Sequence, residues 1–362
     1  MKFQTTKENL FNNIQIVQNV VNPRVSLPIL SNILLETLDG KLRLVATDLD
    51  IGISCEYPIE VMEPGAITIP SKRFADIIRE LPAGQIVITV KKNNTVLIQS
   101  ETCEFRIMGL PKEEFPKLPE FKDLEVIKIE QAALRDMLNK TSFSVSHDEA
   151  RYILNGILFK MENNKLTLVA TDGRRLALEE KKLEINIGKP ASIIIPLKTI
   201  TELAHNLKDV GEVLLILGGN QALFDLGPIR IISRLIEGEF PDYHQVIPVE
   251  QKDKIKLNRE KFLLAIKRAA ILSTLDYQAA KLEVFKDKLV ISRSTPEVGE
   301  SREELESEYS GKELVVGFNP AYLIDVLKNL QDETVNFEVT DAEKPGVLRS
   351  NEYIYIILPM RL

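Results

Sequence analysis

Apolar and polar residues alternate between Leu166 and Asp172, and the alternation stops at Gly173. Alternation with a period of two predicts a half-buried strand, and an Asp-Gly pair predicts a tight turn. The letters Leu-x-Leu-Val-Ala-Thr-Asp also begin at Leu42, and the two copies are 124 residues apart. A period this long indicates a duplicated domain, because solenoid units repeat every roughly 20–50 residues.

Six stripes of apolar residues at helical spacing predict six one-sided helices. The stripes begin at Leu10, Phe74, Leu134, Ile200, Phe262 and Leu323. Ser71 and Asn319 are expected to cap two of these helices. A strand-like segment precedes each helix and about three follow it, so the unit of strand, helix and three strands occurs six times. The chain is therefore predicted to be α+β, with three domains of two half-units each.

Two proline-containing segments, 115–119 and 240–243, predict the boundaries between these domains, because proline limits helices and central strands alike. We expect domains at 1–120, 126–243 and 244–362. A length of 362 residues fits two or three domains, and a hydrophobic fraction of 44% is normal for a chain with a packed core.

The cysteines and the N-terminus bear on the compartment. Cys55 and Cys103 are far apart in sequence, so they match no metal spacing and imply no disulfide framework. The first residues show no signal-peptide pattern, and no apolar run reaches the ~18–20 residues of a membrane span. We therefore expect a cytoplasmic protein.

Charge is divided unevenly along the chain. Six helical windows carry a summed net charge of +6, although the whole chain carries −7 and the remainder therefore −13: 7–18, 72–80, 131–140, 198–208, 259–269 and 320–330. Basic helices and acidic strands would direct a mild positive field at one surface. The alternative is that lysine and arginine merely solvate ordinary amphipathic helices.

The two ends of such a linear array leave sheet edges open. Exposed edges invite pairing, and a head-to-tail contact that closes on itself removes them. This reasoning motivates a ring of two chains as a hypothesis.

In several short segments the chain resembles the bacterial DNA sliding clamps, the beta subunits of the replicative DNA polymerase III holoenzyme. The resemblance covers the whole chain and is carried by 26–30 (Ser-Leu-Pro-Ile-Leu), 151–156 (Arg-Tyr-Ile-Leu-Asn-Gly), 169–173 (Val-Ala-Thr-Asp-Gly), 240–243 (Phe-Pro-Asp-Tyr), 269–272 (Ala-Ala-Ile-Leu) and 358–362 (Leu-Pro-Met-Arg-Leu).

The resemblance implies three DNA-clamp domains per chain and a head-to-tail homodimeric ring, with helices lining the hole. The ring would encircle double-stranded DNA without reading its sequence and tether the replicative polymerase through its alpha subunit, which confers processivity. It implies no catalytic activity, no cofactor and no metal. A clamp loader would load the ring, and other polymerases and repair proteins would bind through a short clamp-binding peptide. No membrane partner is expected. Enclosure fits an acidic protein, because it holds DNA without a tight, salt-sensitive phosphate grip.

The resemblance also implies a cleft that accepts partly apolar partner peptides. Carried over by position, its lining comprises Leu154, Thr171, Gly173, Arg174, Arg175, Leu176, Pro241, Val246, Tyr277, Asn319, Tyr322, Pro345, Ile357, Leu358, Pro359, Met360, Arg361 and Leu362. The alternative for Leu154, Leu176 and Ile357 is plain core packing. The alternative for the last three residues is a frayed chain end.

Two further sets follow from the same resemblance. The DNA contacts map to Arg24, Arg73, Tyr152 and Ile153, and the dimer interface maps to Ile271 and Leu272 against Phe74, Phe105 and Ile107 of the other chain. Arg24 could instead be a solvated loop charge, and Ile271 and Leu272 could be buried within the third domain. Asp148 would be unfavourable beside a phosphate, so we expect no DNA contact from it.

Two rival functions remain to be weighed. An enzyme would need an acid-base or nucleophilic site, but Asp48 and Asp172 lie in repeated strand-turn settings where turn capping is commoner. His147, His205 and His244 are scattered, with no nucleophile or metal spacing around them. The second rival is a protein-binding scaffold that shares the fold but has no need of basic helices.

Overall fold

The computed structural model describes residues 1–21, 27–101, 103–122, 124–183, 189–251, 253–274, 278–296, 298–350 and 352–362. Two predicted site residues, Arg24 and Tyr277, lie outside these ranges.

Six α-helices occur in the described ranges, and each contains one of the predicted stripes. They are α1 (Lys7–Gln18), α2 (Ser71–Glu80), α3 (Gln131–Thr141), α4 (Leu197–Asn206), α5 (Arg259–Ala270) and α6 (Pro320–Asn329). None of them exceeds 12 residues, so no helix in this part of the chain has the length and apolar character needed to cross a bilayer.

The strands follow the predicted repeat. The first third of the chain contains β1 (Lys2–Thr6), β2 (Asn32–Leu38), β3 (Lys41–Thr47), β4 (Ile51–Pro58), β5 (Glu60–Glu63), β6 (Ala66–Pro70), β7 (Gln85–Val90), β8 (Thr95–Ser100) and β9 (Cys103–Met108). The second contains β10 (Val126–Glu130), β11 (Gly156–Glu162), β12 (Lys165–Thr171), β13 (Arg175–Lys182), β14 (Ala191–Pro196), β15 (Glu212–Gly218), β16 (Gln221–Asp225) and β17 (Ile229–Arg234). The last contains β18 (Ile255–Asn258), β19 (Ala280–Val284), β20 (Lys288–Thr295), β21 (Gly299–Glu306), β22 (Leu314–Phe318), β23 (Thr334–Glu338), β24 (Gly346–Arg349) and β25 (Tyr353–Ile357).

The order strand, helix, three strands occurs twice in each third, with β5 as the one added strand among the residues described. The α+β prediction with six half-units is therefore confirmed. Short 3-10 helices join some elements, and two of them, Glu149–Leu154 and Tyr243–Val246, belong to the predicted site. The capping prediction is right at Asn319, whose side chain accepts from the Ala321 amide. It is wrong at Ser71, which is the first helical residue and follows Pro70.

The contacts divide the chain into two compact units. The first unit, 1–134 with 198–235, contains a five-stranded sheet in the order β5-β1-β7-β8-β9 and an eight-stranded sheet in the order β10-β15-β16-β17-β4-β3-β2-β6. Helices α1 and α2 pack on each other, and Leu10, Ile14 and Phe74 are fully buried in this unit. One-sided helices thus cover the sheets with their apolar stripes.

The second unit, 135–197 with 236–362, also has two sheets. An eight-stranded sheet has the order β14-β11-β12-β13-β25-β24-β23-β18, and a four-stranded sheet has the order β21-β20-β19-β22. Its largest core joins α5 and α6 to these sheets and includes Phe262, Phe318, Phe337 and Tyr355.

Each eight-stranded sheet contains a pairing that we call a seam, where the last strand of one repeat pairs with the fourth strand of the preceding one. The first seam is β4 with β17, and the second seam is β13 with β25. Both pairings are antiparallel, and both were missed at the sequence level because strand pairing between repeats leaves no local signal.

Candidate functional site

The turn between β12 and β13 forms one wall of the predicted cleft. Asp172 Oδ1 accepts from the amides of Arg174 and Arg175 at 2.8 and 3.0 Å, and Thr171 Oγ1 accepts from the Gly173 amide. Gly173 has φ of +85°, a backbone conformation that glycine adopts without a Cβ penalty. Asp48 accepts from Asp50 and Ile51 in the corresponding turn, so both aspartates cap turns, as predicted.

Arg175 is the centre of a partly buried network in this wall. Its guanidinium pairs with Asp172 at 3.0 Å and with Asp325 of α6 at 2.6 Å. The same group lies over the Tyr322 ring at 4.4 Å and over the Phe143 ring at 5.7 Å. Burial lowers the pKa of Arg175, but the bond to Asp325 and the neighbouring anionic groups outweigh it and leave the pKa raised. Arg175 therefore fixes the wall and offers little free surface to a ligand.

The C-terminal residues run along the same wall. The Leu358 amide donates to the Arg174 carbonyl at 2.9 Å, and the Met360 amide donates to the Gly317 carbonyl at 2.8 Å beside β22. The tail is thus attached by its backbone and is not frayed at these positions. Its last three residues line a cavity of about 620 Å³ with residues of β19, β20 and β21.

The predicted lining separates into buried and accessible residues. Leu176 and Ile357 are 4% and 0% exposed and belong to two apolar cores, so core packing is the correct interpretation for both. Accessible members include Val246, Leu358 and Leu362, which are exposed, and Leu154 and Met360, which are half-buried. Asn319 caps α6, and Pro241 and Pro345 lie in loops.

Several residues of this region were missed at the sequence level. Arg151 Nη1 donates to the Asp172 carbonyl at 3.2 Å. A Cβ at Gly173 would be only 2.7 Å from the same nitrogen. Ile247 packs partly buried against the core that contains Leu176. An exposed arginine beside a turn leaves no periodic signal in the sequence. Phe240 could have been identified, because an apolar residue in a proline-containing join is expected to pack on a core, as it does here.

The DNA-contact predictions find different surroundings. Arg73 is exposed on α2, and Tyr152 is 57% exposed. Ile153 is half-buried and packs inward against the Leu176 core and near Gly238, so much of its side chain faces apolar neighbours. Asp148 caps the 3-10 helix through the Ala150 amide and lies 3.7 Å from Arg151, which assigns it a structural contact.

The residues predicted for the dimer interface are also divided. Ile271 is 78% exposed and Leu272 is half-buried, so Ile271 is not buried within the third domain. Phe105 is 40% exposed on β9, and Ile107 is 9% exposed. Phe74 is fully buried in the core of its own unit, and the structure leaves it no surface for a second chain. We correct the prediction by removing Phe74 from the interface.

Comparisons with known proteins cover the same three thirds. Family models described as the N-terminal, central and C-terminal domains of the DNA polymerase III beta subunit match residues 1–119, 128–242 and 244–361. The beta sliding clamp of Chlamydia pneumoniae is 33% identical over all of this chain and 99% of its own, and that of Salmonella typhimurium is 35% identical over all of both.

Solved structures agree. The DNA polymerase sliding clamp of Bacillus subtilis matches with a TM-score of 0.96 and 32% identity, over 100% of this chain and 99% of that one. A DnaN sliding clamp of Pseudomonas aeruginosa bound to griselimycin matches with a TM-score of 0.95 and 34% identity over all of both chains. The chain therefore belongs to the DNA polymerase III beta subunit family, the bacterial beta sliding clamps.

Proposed function

We propose that two copies of this chain join head to tail into a ring that encircles duplex DNA in the cytoplasm and tethers the replicative polymerase. The protein carries out no chemistry itself; it keeps its partners on DNA. Clamp loader, other polymerases and repair proteins would use the same peptide cleft.

One observation about the seams carries this proposal. β17 pairs with β4, and β25 pairs with β13, so the last strand of the second and third repeats each covers the fourth strand of the repeat before it. Within the described residues, the last strand of the first repeat, β9, and the fourth strand of the third repeat, β21, each pair on one side only. The two open edges are of the kinds that the seams join, so a second copy can supply each missing partner and close the array.

The repeat also gives the register of that contact. Ile229 and Tyr353 are the first residues of their strands and pair with Cys55 and Glu179. The first residue of β9 is Cys103. In β13, Glu179 lies three residues before Lys182, the partner of the first residue of β12. The matching position in β21 is Glu303, which lies three residues before Glu306, the partner of the first residue of β20. We therefore expect Cys103 of one copy opposite Glu303 of the other.

Disulfide crosslinking tests this register. Neighbouring antiparallel pairs alternate between hydrogen-bonded and non-hydrogen-bonded types, so one of the pairs 103/303 and 104/302 is close enough to bridge. We expect an oxidised dimer from either Glu303→Cys with native Cys103 or Glu104→Cys with Arg302→Cys in a Cys103→Ser background. Cys103 with Ser301→Cys is the off-register control. Equal yields from all three would contradict the register.

Retention on DNA tests the enclosure. The loaded protein should stay on nicked circular DNA and leave when the circle is cut, because enclosure and not a phosphate grip holds it. Reversal of Lys72, Arg73 and Lys208 to Glu should reduce loading, since these side chains are exposed on or beside α2 and α4. Arg79→Glu is the matched control, because Arg79 is already paired with Asp76 and Glu80. A scaffold without DNA would be indifferent to all four changes and to linearisation.

The cleft is proposed to accept a short, partly apolar peptide against the C-terminal tail. Support comes from the backbone attachment of the tail at Arg174 and Gly317, the exposed Leu358 and Leu362, and the apolar core beneath Leu176. Such a surface offers apolar contact with few polar anchors.

Deletion of residues 360–362 should weaken binding of a fluorescent clamp-binding peptide from the polymerase alpha subunit by at least about tenfold, because it removes the Met360 and Leu362 side chains from the proposed peptide surface. Fluorescence anisotropy gives the Kd, and the Val249→Ala variant serves as the control, since Val249 is exposed in the same unit but outside the predicted lining. Unchanged affinity after the deletion would remove the tail from the site.

A further inference from the structure

The repeat places a similar ion pair at two positions of the chain. The lysines that open β3, β12 and β20 pair with Pro58, Lys182 and Glu306, and three residues before those partners lie Cys55, Glu179 and Glu303. The apolar stripes of α1, α3 and α5 begin at Leu10, Leu134 and Phe262, and six residues after these positions lie Ile16, Lys140 and Arg268. The second and third repeats therefore have a cation and a carboxylate where the first repeat has two uncharged residues.

The second seam shows what the pair does when it is covered. Lys140 Nζ lies 3.0 Å from Glu179 Oε1 and 2.8 Å from Asp136. Tyr353 of β25 lies opposite Glu179, and its hydroxyl donates to the Lys140 carbonyl at 3.0 Å. Glu179 is 4% exposed, so the covering strand has buried the carboxylate beside its cation. The first seam has Cys55 at this position, 1% exposed and uncharged.

The third repeat has the same arrangement without its cover. Arg268 Nε and Nη2 donate to the two carboxylate oxygens of Glu303 at 2.8 and 2.5 Å. The side chains of Arg268 and Glu303 are 54% and 32% exposed, and β21 is a sheet edge in the part of the chain that is described. A two-pronged guanidinium-carboxylate pair is the geometry that best survives removal from water.

We propose that the Arg268–Glu303 pair is a positioning element of the contact between two copies, buried there by β9 of the second copy as Lys140–Glu179 is buried by β25. This inference rests on the proposed head-to-tail dimer. The pair neutralises the carboxylate on the open edge, so that the uncharged Cys103 of the partner strand can be laid over it.

The energetic consequence is asymmetric. Removal of one member of a buried ion pair leaves an uncompensated charge, which costs far more than replacement of both members by apolar groups of similar size. Arg268→Met should therefore raise the dimer Kd by roughly 10²–10³-fold. Arg268→Met with Glu303→Leu should return the Kd to within about tenfold of the wild-type value.

The experiment measures the Kd of the full chain by sedimentation velocity across a dilution series. Lys267→Met is the matched control, because Lys267 is the exposed neighbour of Arg268 on α5 and has no assigned place in the contact. Far-ultraviolet circular dichroism and the thermal midpoint verify that each variant is folded.

The outcomes separate the two proposals. A wild-type mass of 40.9 kDa at micromolar concentration would contradict the dimer itself. A wild-type dimer whose Kd changes no more with Arg268→Met than with Lys267→Met would overturn the role of the pair alone. Failure of the double variant to recover would do the same, because a purely steric role for Arg268 predicts no rescue by Leu at 303.

Discussion

The first and second seams share one backbone plan but differ in chemistry. Both consist of antiparallel strands next to a Thr-Asp turn. In the first seam the Arg234 amide at the end of β17 donates to the Asp50 carbonyl, and in the second the Leu358 amide just after β25 donates to the Arg174 carbonyl. In the first turn the residues after the aspartate are Leu-Asp-Ile, and in the second they are Gly-Arg-Arg.

This substitution changes what each seam can bind. At the first seam, Ile51 is 2% exposed and Leu118 of the proline-containing join lies 2.6 Å from where a Cβ of Gly52 would be, so the chain covers its own surface. At the second seam, Leu176 occupies the position that matches Gly52, and Arg175 connects the turn to α6 through its ion pair with Asp325. The two seams therefore share their backbone arrangement, and their side chains differ so that only the second is a candidate peptide cleft.

The largest expected effect is the loss of the Arg175 network. Arg175→Ala leaves the carboxylates of Asp172 and Asp325 without their cation and removes the packing on Tyr322. We expect the second seam to lose about 3–5 kcal/mol, measured by hydrogen exchange of the β13 and β25 amides. Lys198→Ala, which breaks the more exposed pair with Asp48 near the first seam, should cost about 1 kcal/mol or less. Equal losses would remove the distinction between the seams.

What could be predicted from sequence follows the same division. The helices and half-units were predictable because one-sided apolar stripes recur along the chain, as at Leu10, Leu134 and Phe262, and because the Thr-Asp turn at 47–48 occurs again 124 residues later. The residues of the proposed cleft follow only from the family resemblance and stay a prediction. Burial of Phe74 follows from the apolar stripe that it begins in α2. Burial of Ile357 and the tertiary partners of Arg175 depend on strands that meet from distant parts of the chain, so they leave no mark on local periodicity.

The second seam should also respond to pH, and the first should not. Burial raises the pKa of Glu179 to about 7 despite the bond to Lys140, whereas burial raises the pKa of the Cys55 thiol to about 12. The folded state therefore holds a proton on Glu179 that the unfolded chain releases above about pH 4.5. Stability of the second seam should fall as pH rises from about 4.5 to 7, by at most about 3 kcal/mol, and then level off.

Glu179→Gln should flatten this dependence, because the amide does not titrate. Hydrogen exchange at pH 5 and pH 8, corrected for the intrinsic rate, measures it on β25, and the amides of β17 in the first seam serve as the internal control. If the wild-type second seam is as insensitive to pH as the first, the burial of Glu179 does not govern its proton affinity.

Exchange of the residue types at positions 49 and 173, which match in the two turns, should change stability least and compare the two turns directly. Leu49 has φ of +81°, which is unfavourable for a side chain with a Cβ, and Gly173 has φ of +85° in the matching place. Leu49→Gly should stabilise the first unit by up to about 1 kcal/mol, because it relieves this conformation at the expense of a half-exposed side chain. Gly173→Leu should destabilise the second unit by about 1–2 kcal/mol and weaken peptide binding, because the new Cβ would displace Arg151 from the turn. Chemical denaturation and peptide anisotropy measure the two effects separately, and a Gly173→Leu variant that binds peptide normally would show that this turn does not form part of the cleft.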